Sequence, residues 1–145
     1  MITPGEYLAR HPTNQIAAPG ASSWGEQGYW QAWLNEKNEW IYPHLQVAQE
    51  RMSRLVKRKS KITGLKQRAL QQAARELLLA QASDWPFILR AGTSPDYARR
   101  RVKDHLLRFI ALHEQLTLTR VDEHYLREIE ARDNLFPAVD WNYWK

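Results

Sequence analysis

The sequence predicts an all-α fold, a bundle of five or six helices flanked by irregular N-terminal and C-terminal segments. Three observations lead there. Between Leu65 and Ala82, the residues Leu70, Ala73, Ala74, Leu77, Leu78 and Gln81 recur at helical spacing among good helix formers. Helix-start signals recur along the chain, at Thr3-Pro4-Gly5-Glu6, Ser94-Pro95 and Asp122. No stretch shows the period-two alternation of apolar and polar residues that marks a half-buried strand.

The elements follow in order. Thr3 as N-cap, Pro4 at the first position and Glu6 three residues after the cap predict a short helix carrying Tyr7 and Leu8. From His11 to Ser23, Pro12, Asn14, Pro19 and Gly20 predict an extended segment laid over a surface. Trp30 and Trp33 share a short helical turn that Asn35-Glu36-Lys37-Asn38 closes. A longer helix follows, expected to be capped by Asn38, with Pro43 in its first turn and Leu45, Val47, Ala48, Met52, Leu55 and Val56 as its apolar stripe.

That helix dissolves at the basic run and Gly64, and the Leu65–Ala82 helix, apolar nearly all round at Leu77-Leu78-Leu79-Ala80, should bury its C-terminal end. Ser83-Asp84 caps a short helix stopped by Gly92. The next runs from Pro95 to about Leu116 through Tyr97, Val102, Leu106, Phe109, Ile110 and His113. Asp122 caps the last, with Leu126 and Ile129 inward. The aromatic tail after Arg132 is irregular yet expected to pack.

A chain of 145 residues fits one domain, residues 1–145, and can bury a core without disulfides or metal. With no cysteine, thiolate zinc sites and thiol nucleophiles are excluded and a cytoplasmic location is expected. No signal sequence and no apolar run near the ~20 residues of a membrane span are present, so no membrane partner is expected. The net charge of +5 is concentrated at Lys57–Lys61 and Arg99–Arg101. These clusters admit an alternative reading as a basic helical nucleic-acid-binding or protein-interaction module, but a charge run on a helix is more often a solvated face, and no nucleic acid is expected.

The five histidines form no metal-ligand pattern, and no phosphate loop or nucleophile elbow is present, so neither metal nor other cofactor nor a complete catalytic site is expected. Seven tryptophans are a heavy load for this length. Trp30, Trp40 and Trp141 read as packing residues. Trp24, between small residues and Gly25, has the weakest core explanation. Trp24 and Trp33 are nine apart and would oppose each other on a continuous helix, so they can share a site only if Gly25 and Gly28 break it. Asp84 reads as an N-cap, as a carboxylate accepting sugar hydroxyls beside the Trp85 indole, or as both at once. Flat aromatics beside amides and carboxylates suit sugar rings. A sugar covering half of an indole's ~150–250 Å² contributes roughly 2 to 3 kcal/mol of gross contact energy.

The ordered set Thr3-Pro4-Gly5-Glu6-Tyr7-Leu8, Pro12-Thr13-Asn14-Gln15, Ala21-Ser22-Ser23-Trp24-Gly25-Glu26, Trp33-Leu34-Asn35, Asn38-Glu39-Trp40, Arg75-Glu76-Leu77-Leu78-Leu79-Ala80-Gln81, Ser83-Asp84-Trp85-Pro86-Phe87, Gly92-Thr93, Arg132-Asp133-Asn134 and Phe136-Pro137 resembles the C-terminal helical domain of glycoside hydrolase family 57 1,4-α-glucan branching enzymes. The resemblance implies a parent that transfers glycosyl units to make α-1,6 branches with retention, using a Glu and an Asp on a distorted barrel absent from these residues. It implies one wall of the substrate cleft here, with Trp24 and Trp33 as glucan contacts and Asp84 and Trp85 as further candidates. Its partners are then α-glucan and the catalytic barrel, and the chain alone is not expected to be active. One departure from the pattern is Gln27, where glycine is common.

Overall fold

The computed structural model describes residues 1–57 and 62–145, and residues 58–61, which hold most of the first basic cluster, lie outside the described residues. The described residues form six α-helices and three short 3-10 turns, with no strand among them. The helices are α1 (Pro4–Arg10), α2 (Ile41–Lys57), α3 (Gly64–Ala80), α4 (Asp84–Ala91), α5 (Pro95–Thr117) and α6 (Glu123–Arg132). α3 and α5 form the central pair, with α2 and α4 against α5 and α6 against α3.

Local signals act as their chemistry dictates. Glu6 and Thr3 form a reciprocal capping box, and the hydrogen bonds from Thr3 hold the Glu6 carboxyl below its ordinary range. Asp122 accepts from the His124 and Tyr125 amides to start α6. Gly92 ends α4 in the left-handed region at φ 73°, which a residue without Cβ occupies freely. Residues 1–22 are exposed throughout and bury nothing in this domain.

The core is drawn from Met52 and Val56 of α2, Leu70, Ala74 and Leu77 of α3, Leu89 of α4, Val102, Phe109 and Leu112 of α5, and Leu126 of α6. Val47 departs from the expected α2 stripe and is exposed, because Leu55, Met52, Ala48 and Ile41 define the inward direction. α3 ends at Ala80, with Leu77 and Ala80 buried and Leu78 and Leu79 half-buried. Trp141 is buried and Trp40 packs against the core, whereas Trp30 is 49% exposed with its ring edge-on to Tyr29, so Trp30 is not a core residue.

A polar cluster lies inside the bundle. The His105 Nδ1 is 2.7 Å from Glu76 Oε2, and Arg108 Nη1 donates to Asp133 Oδ2 at 2.8 Å. Gln72 Nε2 donates to Glu76 Oε1 at 2.8 Å and to the Asp133 carbonyl at 3.3 Å. Arg75 donates to the carbonyls of Leu135 and Phe136, and burial pushes its guanidinium below its ordinary pKa. Buried polar groups are tolerable only when paired. Here the pairing fastens the tail onto α3 and α5, which is how an irregular segment becomes ordered.

Candidate functional site

The loop before α2 carries Trp24 and Trp33. Ser23 N–H donates to the Gly28 carbonyl at 2.7 Å, and Gly28 N–H to the Gly25 carbonyl at 3.2 Å, closing a tight turn. A Cβ on Gly25 would stand 2.8 Å from the Tyr29 carbonyl oxygen, so only glycine fits there. Gln27 sits at φ 58°, a conformation that glycine adopts more easily. After this turn the chain makes a 3-10 turn at Trp30–Ala32 and presents Trp33.

This break brings Trp24 and Trp33 to one side. Their ring centroids are 5.7 Å apart at 39°, and the Trp33 indole N–H donates to the Trp24 carbonyl at 2.8 Å. A third ring completes the group, since Phe87 of α4 lies 6.1 Å from each. Trp24 is 73% and Phe87 43% exposed. The indole N–H of Trp33 is committed to the loop, while Trp24 offers most of its ring to solvent. Beside the rings is a cavity of about 580 Å³ lined by Ser23, Trp24, Gly25, Phe87, Arg90 and Ala91. That size suits a small ligand.

The other two expected contacts lie differently. Trp85 is buried, its N–H donates to the Leu79 carbonyl at 2.7 Å, Tyr97 meets its edge at 6.0 Å and the Arg101 guanidinium lies 5.8 Å from its ring centroid. Asp84 is the first residue of α4, exposed, with Ser83 in the cap position. It is therefore not the N-cap, and it precedes Phe87 by three residues on the same helix face. Phe87 and Arg90 were not among the expected residues. The signal for Phe87 was available: residues 85 and 87 stand about 200° apart on a helix, and Leu89 sides with Trp85.

Asn38 is not the cap of α2 but a fully buried bracket, with Oδ1 accepting the Asn35 N–H at 2.8 Å. Tyr42 Oη donates to the Trp33 carbonyl, and burial raises the Tyr42 pKa. Among the described residues, one group of possible metal ligands comes together, Glu76, His105 and Asp133, with ligand atoms within 4.8 Å of one another. Arg108 Nη1 already stands 2.8 Å from Asp133 and 3.9 Å from Glu76, so a fixed cation occupies the place where a metal's charge would act. Of the second basic cluster, Arg99 pairs with Asp96 at 3.0 Å and Arg101 lies 3.9 Å from Asp133. A larger groove of about 870 Å³ between α2 and α5, lined by Trp40, His44, Val47, Arg51, Arg99 and Arg100 among others, contains none of the expected glucan contacts.

The described residues thus form an all-helical domain that carries an exposed aromatic cup of Trp24, Trp33 and Phe87. Residues 44–144 match the family model described as 1,4-alpha-glucan branching enzyme, C-terminal. The chain belongs to this family, the C-terminal helical domains of glycoside hydrolase family 57 branching enzymes. It is 39% identical over 121 residues to the 1,4-alpha-glucan branching enzyme TK1436 of Thermococcus kodakarensis, covering 81% of this chain and 18% of that protein. The crystal structure of that enzyme in complex with glucose and additives superposes with a TM-score of 0.85 at 34% identity, covering 98% of this chain and 27% of the other. The alpha-amylase AmyC of Thermotoga maritima has a TM-score of 0.75 at 39% identity, covering 99% of this chain and 26% of its own. The chain thus spans about a fifth to a quarter of the length of these relatives.

Proposed function

We propose that residues 1–145 form a single helical domain that supplies one wall of an α-glucan cleft, completed by a catalytic barrel of the kind the family resemblance implies. The parent activity in this reading is α-1,6 branch formation by retaining glycosyl transfer in cytoplasmic synthesis of glycogen-like glucan. The observation that carries it is the Trp24, Trp33 and Phe87 cup, whose rings converge from two distant segments while Trp24 stays exposed. A core residue has no reason to do this.

Retaining transfer needs two carboxyl groups about 5 to 5.5 Å apart flanking the sugar bond. In this reading they belong to the barrel. The aromatic wall positions the acceptor chain and excludes water from the glycosyl-enzyme, which favours transfer over hydrolysis. Trp24 and Phe87 stack on sugar faces, Trp33 backs Trp24, and Asp84 accepts a sugar hydroxyl one turn away. Trp85 contributes from beneath, holding α4 and hence Phe87 in place.

The test joins this domain to the catalytic barrel of its parent and measures α-1,6 transfer against hydrolysis with and without Trp24→Ala. The expected result is a shift towards hydrolysis. An unchanged ratio removes Trp24 from the acceptor site.

A further inference from the structure

Three rings drawn from the loop before α2 and from α4 lie 5.7 to 6.1 Å apart, and one buried side chain bridges those two segments. We propose that Asn38 is the positioning residue of the aromatic cup: its buried amide locks the backbone that carries Trp33 to the backbone that carries Phe87. Its consequence for glucan binding rests on the reading above, while the geometry stands apart from it.

The Asn38 side chain is completely buried. Its Nδ2 donates to the Ala32 carbonyl at 3.2 Å and to the Pro86 carbonyl at 3.1 Å, while Oδ1 accepts the Asn35 N–H at 2.8 Å. Ala32 immediately precedes Trp33, and Pro86 immediately precedes Phe87. Both donors of one amide therefore end on the peptide units next to two of the three rings. The third ring is tied in by the Trp33 N–H on the Trp24 carbonyl. A cap for α2 would accept amides from the helix's first turn, whereas Oδ1 accepts from Asn35, upstream of Asn38. The geometry thus serves the loop and α4. An aliphatic side chain would leave these groups without their partner, and a carboxylate would set a charge against two carbonyl oxygens.

N38D is nearly isosteric and isolates this chemistry. The two indoles at 5.7 Å couple their transitions, giving a circular-dichroism couplet that can be identified as the difference between the parent sequence and Trp24→Phe. N38D should lose at least half of that couplet at neutral pH while keeping helical signal and cooperative unfolding. Acidification should restore part of it, because a protonated carboxyl regains one donor, and burial raises the pH at which it does so. Leu126→Ala, which removes a fully buried side chain from α6, is the stability control and should keep the couplet. If N38D does not fold, Asn38→Ser is measured in the same way.

An intact couplet in the Asn38 variant, or equal loss in Leu126→Ala, overturns the proposal. Maltoheptaose titration of the same variants then addresses the other reading: loss of the couplet should weaken binding about tenfold or more. If the couplet is lost and the affinity of a binding parent sequence is unchanged, Asn38 still positions the rings and the cup is not the glucan surface.

Discussion

Trp24→Ala and Trp85→Ala should act in opposite ways, although the two residues look alike in sequence. Trp24 hides only about a quarter of its surface, which at ~25 cal/mol per Å² of a ~150–250 Å² side chain stabilises the fold by roughly 1 kcal/mol. Trp85 is 8% exposed and bonded through its N–H to Leu79, so truncation leaves a cavity and should cost about 3 to 5 kcal/mol. That is a large part of the ~5–15 kcal/mol that holds an ordinary domain together. Urea unfolding followed by the helical circular-dichroism signal gives both values, and maltoheptaose titration gives the binding side. Trp24→Ala should keep its unfolding midpoint nearly unchanged and lose most glucan affinity. For a conservative comparison, Trp85→Phe should lower the midpoint and largely keep affinity. A Trp24→Ala protein as destabilised as Trp85→Ala would refute the exposure argument, and one that binds as before would refute the assignment of the cup.

Other consequences are open to simple measurements. Arg108→Met leaves the Asp133 and Glu76 carboxylates without their nearest cation and should cost about 3 to 5 kcal/mol in denaturant unfolding; a loss below about 1 kcal/mol would contradict the buried network. Gln27→Gly relieves a positive-φ residue and should stabilise by up to about 1 kcal/mol, seen as a higher unfolding midpoint. Burial, assisted by Arg51, lowers the His113 pKa from 6.5. The folded state then binds fewer protons there than the unfolded chain, so this group's contribution falls as pH drops below its unfolded pKa towards the lower folded one. His113→Gln should flatten that part of a stability-pH curve, and an unchanged slope would show that the acid sensitivity comes from elsewhere.

Much of the fold was legible because its signals are local. Thr3 with Glu6, Asp122, Pro95 and Gly92 mark helix ends through bonds or backbone angles within a few residues, and these act as expected. The pairing of Trp24 with Trp33 was legible conditionally, from the glycines that interrupt the helix. The local pattern at Asn38 points to a helix cap, because a polar residue just before an apolar stripe has that familiar use, whereas its partner Pro86 lies 48 residues away. Gln72, Arg75 and Glu76 resemble a solvated helix face until His105, Arg108 and Asp133 are brought against them. Trp85 and Phe87 exchange prominence for a similar reason: composition favours the larger ring as a ligand contact, but the helical phase set by Leu89 turns that ring inward.

The most direct test of the glucan-wall account is an amide and indole ¹H–¹⁵N spectrum of the domain during maltoheptaose addition, which follows all seven tryptophans separately and detects weak binding. The account predicts saturable shifts of the Trp24 and Trp33 indole signals while those of buried Trp85 and Trp141 stay nearly fixed. No indole shift up to the solubility limit of the sugar, or shifts centred on Trp144 at the tail, would contradict it.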